Sequence, residues 1–454
     1  MSKLSLKEKV CFSSGEYASS MVWQTLMFFL PIFYTDTFGI PAASLATMFL
    51  IIRFFDAFTD PMVGMLADRT RTKWGRFRPY VLWMAVPYGL GLVLMFTTPD
   101  LGDSGKIVYA YITYSLMMLI YTAISIPYNS MIGVVTPDHS ERASLSSYKF
   151  IFAYMAGITV QVLVIPMVHS LGEGNPARGY QISMAIFGAI AVVLFFVTFK
   201  FSNERVQPAP DQKTSISQDL KDLLRNRPWV ILFLVSLASL IYIAIRCAVV
   251  AYYFKYNLGM ESSTGLFMAL GTVCTLLGVL PTKWISERIG KLLLYQISFL
   301  LIVGSSIAFY FLRTDQLILI YAMQIVFSLA SGPLFPLLWS MIADTTDYSE
   351  WKTGRRATGL AFSALTFSQK MGFSIGGAAI MALMSVFGFV ANVDQSESSL
   401  LGIKLCISLI PAGISAVGFI LLLFYPLDEK QMEQIGKELA IRRGEAENAA
   451  QGIG

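Results

Sequence analysis

Residues 228–254 read PWVILFLVSLASLIYIAIRCAVVAYYF, an apolar run broken by one charge, Arg246. About 20 such residues in a helix cross the hydrocarbon of a bilayer. Inside lipid a backbone finds no water to bond, so a spanning segment must satisfy its own polar groups as a helix or join a closed barrel. The run is continuous rather than alternating, which selects the helix. Similar runs recur along the whole chain, and spans are expected near 11–34, 41–67, 79–98, 106–134, 146–168, 179–200, 228–254, 262–285, 290–312, 316–344, 357–388 and 401–425. The expected fold class is an all-α polytopic membrane protein with twelve transmembrane helices.

Composition narrows the function classes. Only 14% of the 454 residues are charged and 55% are hydrophobic, against about 25% charged in soluble domains. The formal net charge of +5 comes from basic residues in short connections, where they orient a membrane protein rather than bind nucleic acid. Cys11, Cys247, Cys274 and Cys406 are far apart, with no CxxC and no metal spacing, and read as small core residues. His139 and His169 fall in loops on either side of the fifth span. No metal cluster, nucleophile–base pair or cofactor motif is evident, so neither an enzyme nor a cofactor is expected. The leader MSKLSLKEK runs straight into the first span and carries no expected signal cleavage.

The positive charges set an expected orientation. Of the 34 Lys and Arg, only Lys106, Arg178, Lys255, Arg313 and Lys404 fall in one set of alternate connections. The other set, with the two ends of the chain, holds the majority, which places both termini in the cytoplasm of an inner-membrane protein. Residues 201–227 form the one long polar connection, with Pro208 and Pro210, and divide the chain into a six-helix half at 1–200 and another at 228–427. The polar tail at 428–454 is expected to be a short helix that frays. A repeat supports the division: GMLADRTRTKWGR, with Asp68-Arg69, is echoed by GVLPTKWISERIGK, with Glu287-Arg288, 219 residues later. Repeated halves with a midplane site between them are a common plan of secondary transporters.

Four residues interrupt the spans with full positive charge: Arg53, Lys149, Arg246 and Lys370. In the second span, Arg53, Asp56 and Asp60 are the charges, and Asp56, Thr59 and Asp60 share a helical face. Ionisable groups at that depth usually face a bundle interior or a water-filled path. Two carboxylates and a hydroxyl suit a small hard cation or a shared proton; the structural alternative is an Arg–Asp pair that pins helices together.

The loop Gly64-x-x-x-Asp68-Arg69 resembles the signature of the major facilitator superfamily. FYTD (33–36), D-x-x-x-D-P (56–61), WGRFRPY (74–80), Tyr121-Thr122 with IPY (126–128), and AD-x-x-DY-x-EW (343–351), in this order, resemble the glycoside–pentoside–hexuronide:cation symporters, the group of the melibiose and glucuronide carriers. The resemblance spans essentially the whole chain and implies the major facilitator fold. It also implies a coupling-cation site at Asp56, Thr59, Asp60 and Thr122, for sodium or a proton, with Asp56 and Asp60 as the metal ligands if sodium is used. Lys370 on the eleventh span then links ion and sugar, and Lys149 at the start of the fifth belongs to sugar recognition. A loop lysine reaching to the interface is the alternative for Lys149.

The chain departs from the melibiose pattern at Ser20 and Ser125, where those carriers have aspartates, and at Asn129, where they stack an aromatic ring. Glu16 lies one helical turn from Ser20 and can supply a displaced sugar contact; pairing with a nearby lysine is the other reading. Embedded bases outnumber embedded acids by one before any cation binds, which favours an anionic substrate. Arg246 could then clamp its acid group bidentately, or it could bond carbonyls or an acid on a neighbouring helix. Trp339, Trp23 and Tyr128 are candidates for stacking on a sugar ring. The expected function is cation-coupled import of a glycoside or hexuronide-like sugar by alternating access, with the 68–78 turn and the 344–356 segment latching the cytoplasmic side. The expected partners are the sugar, a monovalent cation and membrane lipid, with no nucleic acid, and the chain is taken as a monomer. A sodium-coupled lipid or drug carrier would want a greasier cavity, and a non-transporting sugar sensor an extra soluble domain.

Overall fold

The computed structural model describes residues 4–136, 139–205, 223–354 and 358–450, with some side chains inside these ranges, Arg53, Asp56 and Asp68 among them, outside the description. The helices are α1 (Leu6–Phe28), α2 (Ala42–Arg69), α3 (Arg78–Met95), α4 (Asp103–Val135), α5 (His139–Gly172), α6 (Pro176–Phe201), α7 (Arg227–Tyr252), α8 (Thr264–Val279), α9 (Thr282–Ile289), α10 (Lys291–Phe311), α11 (Leu317–Ser331), α12 (Leu334–Thr353), α13 (Thr358–Val386), α14 (Glu397–Ile407), α15 (Leu409–Leu423) and α16 (Glu429–Ala450). Joined across short breaks, and with the α16 tail set aside, they give the twelve expected spans. Among the described residues, eight stretches are long and apolar enough to cross a membrane by length and composition alone. Helix α1 is not among them, because Ser13, Ser14, Glu16, Ser19, Ser20 and Gln24 make it too polar. That polarity is what a path-lining helix needs.

Contacts gather the chain into two units. The first holds Met1–Pro210 with Cys247–Thr272 and Gly377–Lys404; the second holds Asp211–Arg246, Val273–Gly376 and Leu405–Gly454. Two stretches of the second sequence half thus group with the first half. Within the first unit, α3 and α6 cross at Gly89 and Gly188, where a Cβ on either would stand 2.9 or 2.8 Å from the other's carbonyl oxygen. Only glycine permits that approach.

The turn before α3 is fixed by a carboxylate. Glu204 accepts the backbone N–H groups of Arg76 (2.9 Å), Phe77 (2.7 Å) and Arg78 (2.8 Å). A helix N-terminus leaves such donors open, and an anion there is stabilised by the helix dipole. Gly75, at φ 112°, leaves room for it; a Cβ would lie 2.4 Å from the Glu204 carboxyl carbon.

Two irregular turns repeat between the sequence halves. After α1 the chain continues through Leu30–Ile32 into the π turn Phe33–Thr37, and α7 continues into the π turn Tyr253–Asn257. Each is followed by a glycine in the left-handed region, Gly39 at φ 78° and Gly259 at φ 65°.

The second unit is built on a core that includes Tyr295, Phe299, Ile302, Leu338, Met341 and Leu422. The tail differs from expectation. It forms the 22-residue helix α16 rather than a short one, and it buries Ile435 and Leu439 in that core. Its polar sequence hides an amphipathic stripe, and tertiary burial stabilises it.

Candidate functional site

Helix α1 presents Glu16, Ser20 and Trp23 at i, i+4 and i+7, on one face. Ser20 Oγ donates to Glu16 Oε1 at 3.1 Å. The other carboxylate oxygen, Glu16 Oε2, pairs with Lys149 Nζ of α5 at 3.0 Å. Lys149 Nζ also donates to Asn129 Oδ1 of α4 at 2.6 Å and stands 4.7 Å from the Tyr128 ring centroid. Lys149 is 8% exposed, so the loop-lysine alternative does not describe its position. Tyr128 is itself fixed: its hydroxyl donates to the Phe12 carbonyl at 2.9 Å, and its ring stacks on Phe12. It therefore forms a wall of the cluster rather than an open stacking platform.

Gly15 explains the local fit of α1. A Cβ there would meet Tyr128 and Thr198 at 2.9 Å, so the residue beside Glu16 must be glycine for α1 to approach α4 and α6. Four of the expected sugar-site residues, Glu16, Ser20, Asn129 and Lys149, are thus brought together in the first unit. Ser125 lies one turn from Asn129 on α4 and is half-buried. Trp23 packs against Tyr121, ring centroids 5.3 Å apart, and Tyr121 faces Tyr88 at 6.3 Å.

The expected cation set begins beside Tyr121. Thr122 Oγ1 donates to Asp60 Oδ1 at 2.9 Å, tying α4 to α2. Thr59 and Thr122 are 8% and 2% exposed, and Asp60 is half-buried. The side chain of Asp56 lies outside the described residues. Thr122, Ser125 and Asn129 follow one another at i, i+3 and i+7, so one face of α4 carries a member of the cation set and members of the sugar set. Seven residues of helix separate Thr122 from Asn129, a rise of roughly 10 Å.

Arg246, Trp339 and Lys370 belong to the second unit. Arg246 is 5% exposed; its Nη1 donates to the Ile407 carbonyl at 2.6 Å and its Nη2 to Gln324 Oε1 at 2.8 Å. Its guanidinium lies 3.9 Å from the Phe327 ring centroid and 5.5 Å from that of Phe309. This is the carbonyl-bonded arrangement set beside the acid clamp. Trp339 is 40% exposed on α12, and the backbone carbonyl of Lys370 on α13 accepts Ser374 Oγ at 2.6 Å.

The two expected latch segments each have partners within their own unit. The 70–78 turn holds Glu204, with Thr70 and Tyr80 hydroxyls 2.7 Å apart. In the second unit, Asp344 pairs with Lys291 at 2.7 Å and Trp351 Nε1 donates to Glu438 of α16. Sequence reasoning missed Glu204, Glu438 and a cluster around Asp36, Lys255, Tyr256 and Asn392. A signal for the last existed, since FYTDTFG (33–39) is echoed by YFKYNLG (253–259).

The family model for MFS/sugar transport proteins matches residues 11–429. A putative glycoside/cation symporter, YagG of Escherichia coli (strain K12), is 35% identical over 100% of this chain and 97% of its own length. The isoprimeverose transporter of Lactiplantibacillus pentosus is 35% identical over 93% of this chain and 89% of its own. Among solved structures, a variant of the nucleoside transporter NupG superposes with a TM-score of 0.66 over 92% of this chain and 99% of that one, at 14% identity, which shows the fold alone. The chain belongs to the MFS/sugar transport protein family: it is a multi-pass membrane transporter of the major facilitator fold, and not an enzyme.

Proposed function

We propose that this transporter is a symporter that imports a neutral glycoside with one coupling cation, sodium or a proton, in an inner membrane with both termini cytoplasmic. The observation that carries the reading is the Glu16–Lys149–Asn129 cluster, whose Asn129 shares a face of α4 with Thr122, the donor to Asp60. A carboxylate, an amide, a hydroxyl and an ammonium offer both acceptors and donors to sugar hydroxyls. Because Glu16 neutralises Lys149, the cluster leaves no uncompensated cation to demand an acid group. Both Nη groups of Arg246 are bonded within the second unit, which supports a structural role for it over that of an acid clamp. The names of the YagG and isoprimeverose relatives support a glycoside substrate.

Oxygen ligands from Asp60, Thr59 and Thr122, with Asp56, suit sodium, whereas a proton needs one carboxylate only. The test is uptake into proteoliposomes of a neutral glycoside and its hexuronide counterpart, with a sodium gradient, a proton gradient or neither. Accumulation of the neutral compound driven by one ion, and its loss in Asp60→Asn with downhill exchange retained, is the expected result. Equal or stronger accumulation of the uronide sinks the neutral-substrate reading. Uphill accumulation by Asp60→Asn sinks the cation assignment.

A further inference from the structure

The π turns Phe33–Thr37 and Tyr253–Asn257 meet within the first unit at the Asp36 carboxylate. Lys255 Nζ and the Tyr256 hydroxyl both donate to it, and Thr35 Oγ1 donates to Asp36 Oδ1 at 2.8 Å. A third stretch of chain, the loop before α14, adds Asn392. Its Nδ2 donates to the Asp36 carbonyl, its Oδ1 accepts Lys255 Nζ at 2.9 Å, and its backbone N–H donates to the Tyr256 hydroxyl at 3.0 Å. Asn392 stands at φ 58°, a left-handed conformation that asparagine tolerates better than most residues. One residue is therefore bent into an unusual backbone to reach both sides of a pair.

This cluster has the makeup of a joint that opens. The Asp36 side chain is 5% exposed, and left alone it would be an expensive buried charge. Its counter-ion Lys255 and the Tyr256 donor come from a stretch more than 200 residues away, and Asn392, more than 350 residues away, braces the pair through the Asp36 carbonyl, Lys255 and Tyr256, so the charge keeps its counter-ion only while the two π turns are together. Yet Asp36, Lys255 and Asn392 also line a cavity of about 310 Å3 with His169 and Glu261, and Lys255 is 25% exposed. Groups beside such a cavity can be rehydrated when they part, which lowers the barrier to separation. π turns, with their wide backbone, concentrate at functional sites.

We infer that Asp36 is the hub of a latch that shuts the carrier on the side opposite its N-terminus, and that Lys255, Tyr256 and Asn392 release it in each transport cycle. The inference rests on the transport reading, but its test needs no knowledge of the sugar. A cysteine placed at Gln24, three turns back along the first span and roughly 18 Å from Asp36, is labelled with a membrane-impermeant maleimide. Labelling is followed in right-side-out and inside-out vesicles, against the parent with its native cysteines.

Asp36→Asn and Lys255→Met are each expected to raise the labelling rate about tenfold, within the range of coupling energies that hold two-state elements. The rise should occur in the orientation that exposes the side opposite the N-terminus. The double charge swap Asp36→Lys with Lys255→Asp should return the rate toward the parent. Tyr256→Phe, which removes a donor to Asp36 and the acceptor for the Asn392 N–H but leaves the ion pair, should give a smaller rise of about two- to threefold. Unchanged labelling in all of these variants, with each protein eluting as a folded species, would make the cluster a static staple and overturn the inference. A swap that labels as fast as the singles overturns the assignment of Asp36 and Lys255 as partners. If labelling responds as expected while no glycoside is ever accumulated, the latch stands and the substrate reading fails.

Discussion

Lys149 and Arg246 are both cations buried in membrane-spanning helices, and their surroundings differ in kind. Lys149 meets a half-buried carboxylate and the amide of an exposed asparagine, groups that can turn toward a sugar. Arg246 meets a backbone carbonyl, a buried glutamine and two aromatic rings, all held by the core of their helices. A charge with adaptable partners can exchange them for a ligand, while a charge with fixed partners is part of the scaffold. Counting embedded charges from sequence treats the two alike, whereas their partners set them apart.

The comparison breaks most visibly if Arg246 is removed. Arg246→Ala should lower stability by about 3–5 kcal/mol, since hydrogen bonds to a charged group contribute about 1.5–3 kcal/mol each. Denaturation in detergent measures it, and sugar affinity per folded molecule should stay unchanged. A folded Arg246→Ala with normal stability and weak sugar binding would restore the clamp.

Lys149→Gln should do the reverse, weakening sugar affinity by about 10- to 100-fold, or roughly 1.4–2.8 kcal/mol, with little change in melting temperature. In a double-mutant cycle with Glu16→Gln, the coupling should reach about 0.5–3 kcal/mol. Additive losses would mean that the pair does not act as a unit.

Thr122→Val sharpens the comparison on the cation side. It removes a hydroxyl oxygen from the proposed cage, worth about 1 kcal/mol, so sodium affinity should fall about fivefold while sugar affinity measured without the cation holds. Sodium titration of intrinsic tryptophan fluorescence provides the measurement.

The smallest effect concerns a charged pair outside the spans. Burial alone would raise the Glu8 carboxyl, but hydrogen bonds from Arg205 and Ser5 hold it below the ordinary glutamate range. Its anionic form is therefore favoured by folding, and the contribution is full above the unfolded value of about 4.3. It is lost as pH falls through the folded value. Arg205→Gln should flatten this part of the acid limb by less than about 1 kcal/mol. Identical acid limbs for parent and variant would show that the pair is silent.

The sequence discloses the spans because lipid allows few alternatives: each run of some 20 apolar residues must close its own hydrogen bonds. The pairing of Glu16 with Ser20 was legible because it follows from helical spacing, and the placing of Lys149 and Asn129 came through family resemblance. Glu204 and Asn392 were illegible because their partners lie more than 120 residues away, and no local period reports such contacts. The buried stripe of α16 was obscured by its charged majority. Arg246 was visible as a residue, but only its neighbours Gln324 and Ile407 decide what it does.

The shared face of α4 carries a quantitative obligation. Thr122 and Asn129 ride on one helix with Pro127 between them, so on the proposed reading a tilt of α4 that changes the grip on the ion also displaces the amide that faces Lys149. If an ion at Asp60 multiplies sugar affinity by some factor, bound sugar must multiply ion affinity by the same factor, because the two routes to the ternary complex close a thermodynamic square. Shortening the lever by moving the amide one turn, as in Ser125→Asn with Asn129→Ser, would change that common factor from both directions at once.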